Sequence, residues 1–328
     1  MSSPLRFSAN INTFNAGADR YVLSGYGERF STEELIRLAT HVPNLTGVEL
    51  VGLWHVNDDN VEQIRRWVSD AGLTVTCVTP DIWASAKWGK GSFASTDPKI
   101  RRAAIQEVKK SMDWAKQLNC EVIDLWFGQD GYDYPLQADY PQSWDWIIEG
   151  VIECAEHQPE VKIVLEYKPK EPRTHCFIAT VGKTLLLIEK VNKPNVGAMI
   201  DVGHALMGYE NIAESAALLD YFGKKLFYMH FNDNWRLWDD DMTVGSVHTV
   251  EMFELLYWLD RIGYSGWYAL DIFPYRENGV RAATESIRWI QALHSLIDTI
   301  GRERIAEVIQ QGDAMEATAM FREALFRK

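Results

Sequence analysis

Short apolar runs alternate with longer stretches in which apolar positions return every third or fourth residue, and the alternation repeats eight times. The short runs read as strands buried on both faces, and the longer ones as amphipathic helices packed against them. The pattern predicts strands at Arg6–Phe14, Gly47–Gly52, Leu73–Pro80, Glu121–Gly128, Lys162–Pro169, Val196–Gly203, Leu226–Asn232 and Trp267–Phe273. Helices are expected to begin near Ser31, Asp58, Asp97, Pro141, Thr180, Asn211, Thr249 and Val280. Several of these open on a good cap, such as Ser31 with Glu34 three residues on, or Thr180 ahead of Leu185, Leu186 and Ile188. Eight strand–helix units in 328 residues predict an α/β chain folded as a (β/α)8 TIM barrel over residues 1–302. Residues 303–328 are expected to add a short amphipathic C-terminal helical tail.

Active sites of such barrels lie at the C-terminal ends of the strands. Strand five closes on Glu166-Tyr167-Lys168-Pro169; side chains alternate along a strand, so Glu166 and Lys168 should share a face where Pro169 stops it. Strand six closes on Asp201 with His204 beyond, strand seven on His230 followed by Asp239 and Asp241, and strand eight on Asp271. Glu166, Asp201, His230 and Asp271 form a ring of three carboxylates and an imidazole that would repel itself without a cation. Hard oxygen donors with a single histidine suit Mg2+, Mn2+ or Co2+. Asp201, His204, Asp239 and Asp241 would build a second site beside it, giving two divalent cations per subunit. Taken singly, each of these residues is as readily a loop acid or a hydrogen-bonded core histidine; their coincidence on consecutive strands argues for metal. His175 and His248 carry no such support.

Composition narrows the class. A net charge of -13 argues against a nucleic-acid partner, whose phosphates need a basic footprint. Thirteen Trp and thirteen Tyr suggest an aromatic-lined pocket. Cys77, Cys120, Cys154 and Cys176 are scattered without a CxxC, as expected of reduced thiols in a cytoplasmic protein. No apolar stretch is long enough for a membrane span, and Met1 to Arg6 lacks a leader pattern.

The chain resembles the xylose isomerase family of metal-dependent sugar isomerases. The likeness rests on Glu166-Tyr167-Lys168-Pro169-Lys170-Glu171-Pro172-Arg173, the Asp201/His204 step, Leu226-Phe227 with Asn232, and Asp239-x-Asp241-x-x-x-Gly245. Gly72-Leu73-Thr74-Val75 with Val78-Thr79, Phe93-x-Ser95-x-Asp97, Arg101-Arg102 and Leu125-Trp126 extend it upstream. Xylose isomerases proper carry Glu and Asp where this chain has Asp201 and His230, an exchange that resembles rhamnose isomerase. The first loop, Thr13 to Phe30, lacks the family's tryptophan-bearing segment, and the long C-terminal arm is missing.

The resemblance implies aldose–ketose isomerisation of a small aldopentose, D-apiose or D-xylose, by a two-metal 1,2-hydride shift, with L-rhamnose next. It implies that Lys168 stabilises an oxyanion at O1, and that His55, oriented by Asp58, assists ring opening. Trp83 and Trp126 would wall the apolar side, and Thr79 would line the pocket. A homodimer or homotetramer is expected. The nearest rival is a single-metal ketose 3-epimerase on the same barrel. A trinuclear-zinc apurinic endonuclease would want a histidine on strand four and another in place of Asp241, and a non-enzymatic sugar-binding barrel would not need Lys168.

Overall fold

The computed structural model describes residues 4–326 and is a closed barrel of eight parallel strands. The strands are β1 (Arg6–Asn10), β2 (Leu45–Val51), β3 (Thr74–Thr79), β4 (Val122–Trp126), β5 (Lys162–Glu166), β6 (Val196–Asp201), β7 (Leu226–Phe231) and β8 (Trp267–Leu270). Each pairs with its neighbour in sequence, and β1 closes the ring against β8 through Arg6↔Trp267 to Ala9↔Leu270. The expected (β/α)8 architecture is therefore observed.

Helices cover the outside: α1 (Thr32–Ala39), α2 (Val61–Asp70), α3 (Pro98–Gln117), α4 (Tyr140–His157) and α5 (Val181–Val191) follow the first five strands. A short α6 (Val202–Met207) and α7 (Ile212–Tyr221) follow β6, and α8 (Thr249–Ile262) and α9 (Gly279–Ile300) close the set. Sequence explains their starts: Ser31 and Glu34 complete a reciprocal capping box, and Thr180 accepts from the Lys183 amide. The expected helical tail is built as two helices, α10 (Arg302–Gln311) and α11 (Ala314–Leu325), because Gly312 takes a left-handed φ of 67° between them.

Several strands are shorter than the apolar pattern suggests. After Asn10 the chain turns into a 3-10 segment, since the Asn10 side chain accepts from the Asn12 amide. Strand β5 ends at Glu166, so Lys168 stands in the loop beyond it, and β8 ends at Leu270, just short of Asp271.

Alternation along the strands sorts two layers. The large core between strands and helices includes Leu50, Val78, Ile123, Leu165, Ile200 and Phe231. A separate cluster of Cys77, Val122, Val164, Met199, Tyr228 and Ala269 faces inward and fills the barrel. Two residues further along each strand, and so on the same inner face, come Thr79, Asp124, Glu166, Asp201, His230 and Asp271. The inner packing thus forms a floor for the polar residues at the barrel's mouth. Near its base Ser8 and Thr76 meet across Gly47 at 2.6 Å; a Cβ at Gly47 would sit 2.9 Å from Ser8 Oγ.

Candidate metal centre

A cavity of about 810 Å³ opens at the C-terminal end of the barrel. It is lined by Glu166, Lys168, His204, His230, Asp239, Asp241 and Asp271, together with His55, Thr79, Trp83 and Trp126. All but two of the residues singled out from the sequence therefore reach one space. Asp201 is wholly buried beneath it, and Asp58 lies elsewhere.

One donor from each of Glu166, Asp201, His230 and Asp271 falls within a 4.8 Å cluster, and a second cluster joins Asp201, His204 and Asp239. Nδ1 of His230 faces the first group, 3.4 Å from Glu166 Oε1, 3.8 Å from Asp271 Oδ2 and 3.9 Å from Asp201 Oδ2. Asp201 belongs to both clusters. Its Oδ1 caps α6 by accepting from the His204 amide at 2.8 Å, and its Oδ2 accepts from Asn232 Nδ2 at 2.8 Å. In His204, Nδ1 lies 3.1 Å from the Tyr167 carbonyl, which can only accept, so Nδ1 carries a proton and Nε2 is directed to Asp239 Oδ2 at 3.1 Å.

The electrostatics test whether these residues suit a cation. Burial, reinforced by Glu166 and Asp201, outweighs the His230 charge and raises Asp271 to about 7. Burial also raises Asp201 to about 6 against the pull of His204, and lifts Asp241 well above the carboxylate range with Asp239 and Asp271 adding to it. Burial opposes a charge on His204, yet Asp201 and Asp239 carry it up to about 9. These carboxylates resist sharing the site as anions, and a divalent cation would supply the missing positive charge. The donor set fits such an ion.

Asp239 and Asp241 ride on a loop whose ends are tied by mutual backbone hydrogen bonds between Asp233 and Met242, at 3.1 and 2.8 Å. Asp233 is buried and holds the base further by accepting from His248 Nδ1 at 2.7 Å. Asp241 has φ +45°, so Asp239 and Asp241 do not lie on one extended segment with a common face. Asp239 joins His204, and Asp241 lines the same cavity just outside that 4.8 Å cluster, approached by Asn232 Nδ2 at 3.4 Å. Lys168 Nζ bonds Asp239 Oδ2 at 2.7 Å and also Glu171, and lies 5.0 Å from the Trp126 ring centroid. Burial opposes its charge, but the two carboxylates hold its pKa above the usual lysine range, so Lys168 is a fixed cation.

The expected His55–Asp58 pair does not form. Asp58 turns away and accepts from Trp114 Nε1 at 2.7 Å and Lys110 Nζ at 3.1 Å, tying the start of α2 to α3. Proximity in sequence misleads here because the chain reverses between the two residues. His55 is oriented instead by the Val51 amide, which donates to Nδ1 at 2.9 Å; Nε2 therefore carries the proton and points to Asn12 Oδ1 at 3.1 Å. Burial lowers its pKa to about 4, so the ring is neutral. Trp83 packs edge-on to Trp126 with centroids 5.0 Å apart, and Trp54 extends the wall, its Nε1 held by Asp81. Thr79 Oγ1 donates to Asp124 Oδ2 at 3.2 Å.

Sequence reasoning misses Asn10, Asn12, Glu49 and Asp124. Asn10 Nδ2 donates to Asp271 Oδ1 at 3.1 Å, and Glu49 Oε2 lies 2.9 Å from His230 Nε2. The available signal is a lone carboxylate inside an apolar run, in Gly47-Val48-Glu49-Leu50-Val51 and again in Val122-Ile123-Asp124-Leu125. His175 stacks on Tyr132 outside the cavity, and His248 serves the loop base.

Carboxylates and histidines gathered at the mouth of a closed parallel barrel define a (β/α)8 protein with a small-molecule cavity whose donors could hold a metal ion. The chain belongs to the xylose isomerase-like TIM barrel family, whose model matches residues 38–293. It is 28% identical over 250 residues to the xylose isomerase of Thermus thermophilus, across 74% of this chain and 61% of that one. It thus spans less than two thirds of that relative's length. Among solved structures, an L-ribulose 3-epimerase superposes with a TM-score of 0.71 at 13% identity, covering 93% of this chain and 98% of its own. The D-allulose 3-epimerase of a Methylomonas species superposes with a TM-score of 0.68 at 15% identity, over 89% and 99%. At such identities these two likenesses concern the fold alone. Among the described residues, no helix is long and apolar enough to cross a membrane.

Proposed function

We propose that this chain is a divalent-metal-dependent aldose–ketose isomerase acting on a small sugar, an aldopentose of the D-apiose or D-xylose type, through a 1,2-hydride shift. The observation that carries this reading is the second cluster, Asp201, His204 and Asp239, with Asp241 close by, beside the first. Glu166, Asp201, His230 and Asp271 would hold one ion; Asp201, His204, Asp239 and Asp241 would hold the other. When bound, Mg2+, Mn2+ or Co2+ supplies Lewis acidity, fixing vicinal sugar hydroxyls and lowering the pKa of a water from ~15.7 toward about 7.

The chain's own groups account for the remaining chemistry. His55 presents an Nε2–H that Asn12 now accepts; a sugar ring oxygen taking Asn12's place would receive that hydrogen bond as the ring opens. The permanent charge on Lys168 suits it to donate to O1 as negative charge gathers there while a hydride passes from C2 to C1 and the proton released from the C2 hydroxyl is returned at O1. Trp83 and Trp126 present an apolar wall that keeps water from the migrating hydrogen.

The single-metal 3-epimerase reading needs only the first cluster, and the fold likeness to ketose epimerases favours keeping it as the second reading. The test is incubation of chelator-stripped protein in D2O with aldopentoses and deoxyhexoses, with and without Mn2+ or Mg2+, followed by NMR. Metal-dependent ketose formation with little deuterium at C1 supports the isomerase. Ketose epimers carrying deuterium at C3 would replace it with the epimerase.

A further inference from the structure

Behind the metal ring lies a polar chain that the proposed reaction leaves without a task. Glu49, on β2, is 1% exposed, and its neighbours Val48 and Leu50 pack in the outer core. A carboxylate this deep is costly to desolvate and needs partners. Glu49 has two. Oε2 lies 2.9 Å from His230 Nε2, and Oε1 accepts from the Tyr228 hydroxyl at 2.7 Å. Tyr228 Oη is 2.8 Å from Thr76 Oγ1, which meets Ser8 Oγ at 2.6 Å. Tyr228 has one proton, and the carboxylate can only accept, so the Tyr228 proton goes to Glu49 and Thr76 supports the phenol oxygen from behind.

The consequence reaches His230. With Nε2 committed as donor to Glu49, the nitrogen left to meet a cation that displaces the second ring proton is Nδ1, which faces Glu166, Asp201 and Asp271. We infer that Glu49, braced by Tyr228, is a positioning residue for the metal centre: it fixes the tautomer and rotation of His230 and strengthens the ring as a donor through a buried carboxylate–imidazole pair. Such outer partners typically change metal affinity by about 10–100-fold when removed. Glu49 comes from the opposite side of the barrel, 181 residues away in sequence from the ligand it orients, so the pair also locks β2 to β7 under the site.

This inference rests on the metal reading, and its test separates the two. Mn2+ affinity is measured by equilibrium dialysis on wild type, Glu49→Gln and Tyr228→Phe, and the Co2+ absorption spectrum is recorded for each. Circular dichroism verifies that the variants are folded. Wild type is expected to bind Mn2+, and Glu49→Gln to bind the first ion about 10–100-fold more weakly with a shifted Co2+ band. Tyr228→Phe keeps the carboxylate and should show a smaller loss of the same kind, which answers the question if Glu49→Gln does not fold. A merely structural Glu49 would lower stability and leave the Co2+ band of the folded variant in place. Unchanged affinity and spectrum in a folded variant would overturn the positioning role alone. Absence of Mn2+ binding by wild type would overturn the metal reading and this inference with it.

Discussion

Replacing Asp271 by Asn should stabilise the metal-free protein while destroying the affinity of the first site for metal. The folded-state pKa of Asp271, about 7, exceeds the ordinary 3.8 because burial and the neighbouring Glu166 and Asp201 outweigh His230. Between those two values the folded protein keeps a proton that the unfolded chain has released. Stability therefore falls as pH rises from about 4 to about 7, and the whole penalty is present above that range. A difference of about 3 in pKa corresponds to about 4 kcal/mol at 1.36 kcal/mol each. The side chain retains 16% exposure, so this figure is an upper bound. Asn keeps an oxygen to accept from Asn10 Nδ2 and removes only the charge.

The assay is urea unfolding followed by circular dichroism, with EDTA present, at pH 5 and pH 8. At pH 8 Asp271→Asn should exceed wild type by up to about 4 kcal/mol, and at pH 5 by under about 2. Mn2+ at a hundred times the Kd of the first site should add about 2.7 kcal/mol through that site in wild type and nothing through it in the variant. A variant no more stable than wild type at pH 8 in EDTA, or a gap independent of pH, would refute the view that the ring is strained without a cation.

Three further outcomes are expected. Lys168→Met should lower kcat by about 10²–10³-fold with a smaller change in KM, as for loss of a donor used in the transition state, and steady-state kinetics on the responsive sugar would show it. A proton held on His204 up to about pH 9 competes with an ion for Nε2, so second-site affinity should fall by up to tenfold per pH unit below that value; titration calorimetry at pH 6.5 and 8.5 should differ accordingly, and equal affinities would contradict it. Asp58→Asn should leave ring opening unaffected and lower only thermal stability, whereas Asn12→Ala should change the rate with cyclic sugars, because Asn12 and not Asp58 meets His55.

The barrel and most of the side chains that cluster at its mouth are legible in the sequence because strand ends carry their chemistry locally. Glu166, Asp201 and Asp271 each follow an apolar run, and the register of a parallel barrel brings such positions to one face. Glu49 and Asp124 escape notice for the converse reason. Barrel strands are buried on both sides, so apolar alternation does not mark which residues point inward. Asp58 misleads because a carboxylate three residues from a histidine reads as its partner, while the turn ahead of α2 directs it to Trp114. The φ of Asp241 depends on how the loop closes, which neither spacing nor residue type reveals.

The tie between Asp233 and Met242 gives the two halves of the metal centre different kinds of support. Glu166, Asp201, His230 and Asp271 are held at or just beyond the ends of barrel strands, and moving any of them disturbs the sheet or its rim. Asp239 and Asp241 hang from a loop joined at its neck, which could be shortened, exchanged or lost while the sheet stays as it is. A lineage built on this plan can therefore gain or shed the proposed second ion by editing about ten residues of loop. One-ion and two-ion chemistries then become neighbours in sequence space, separated by a graft instead of a new fold.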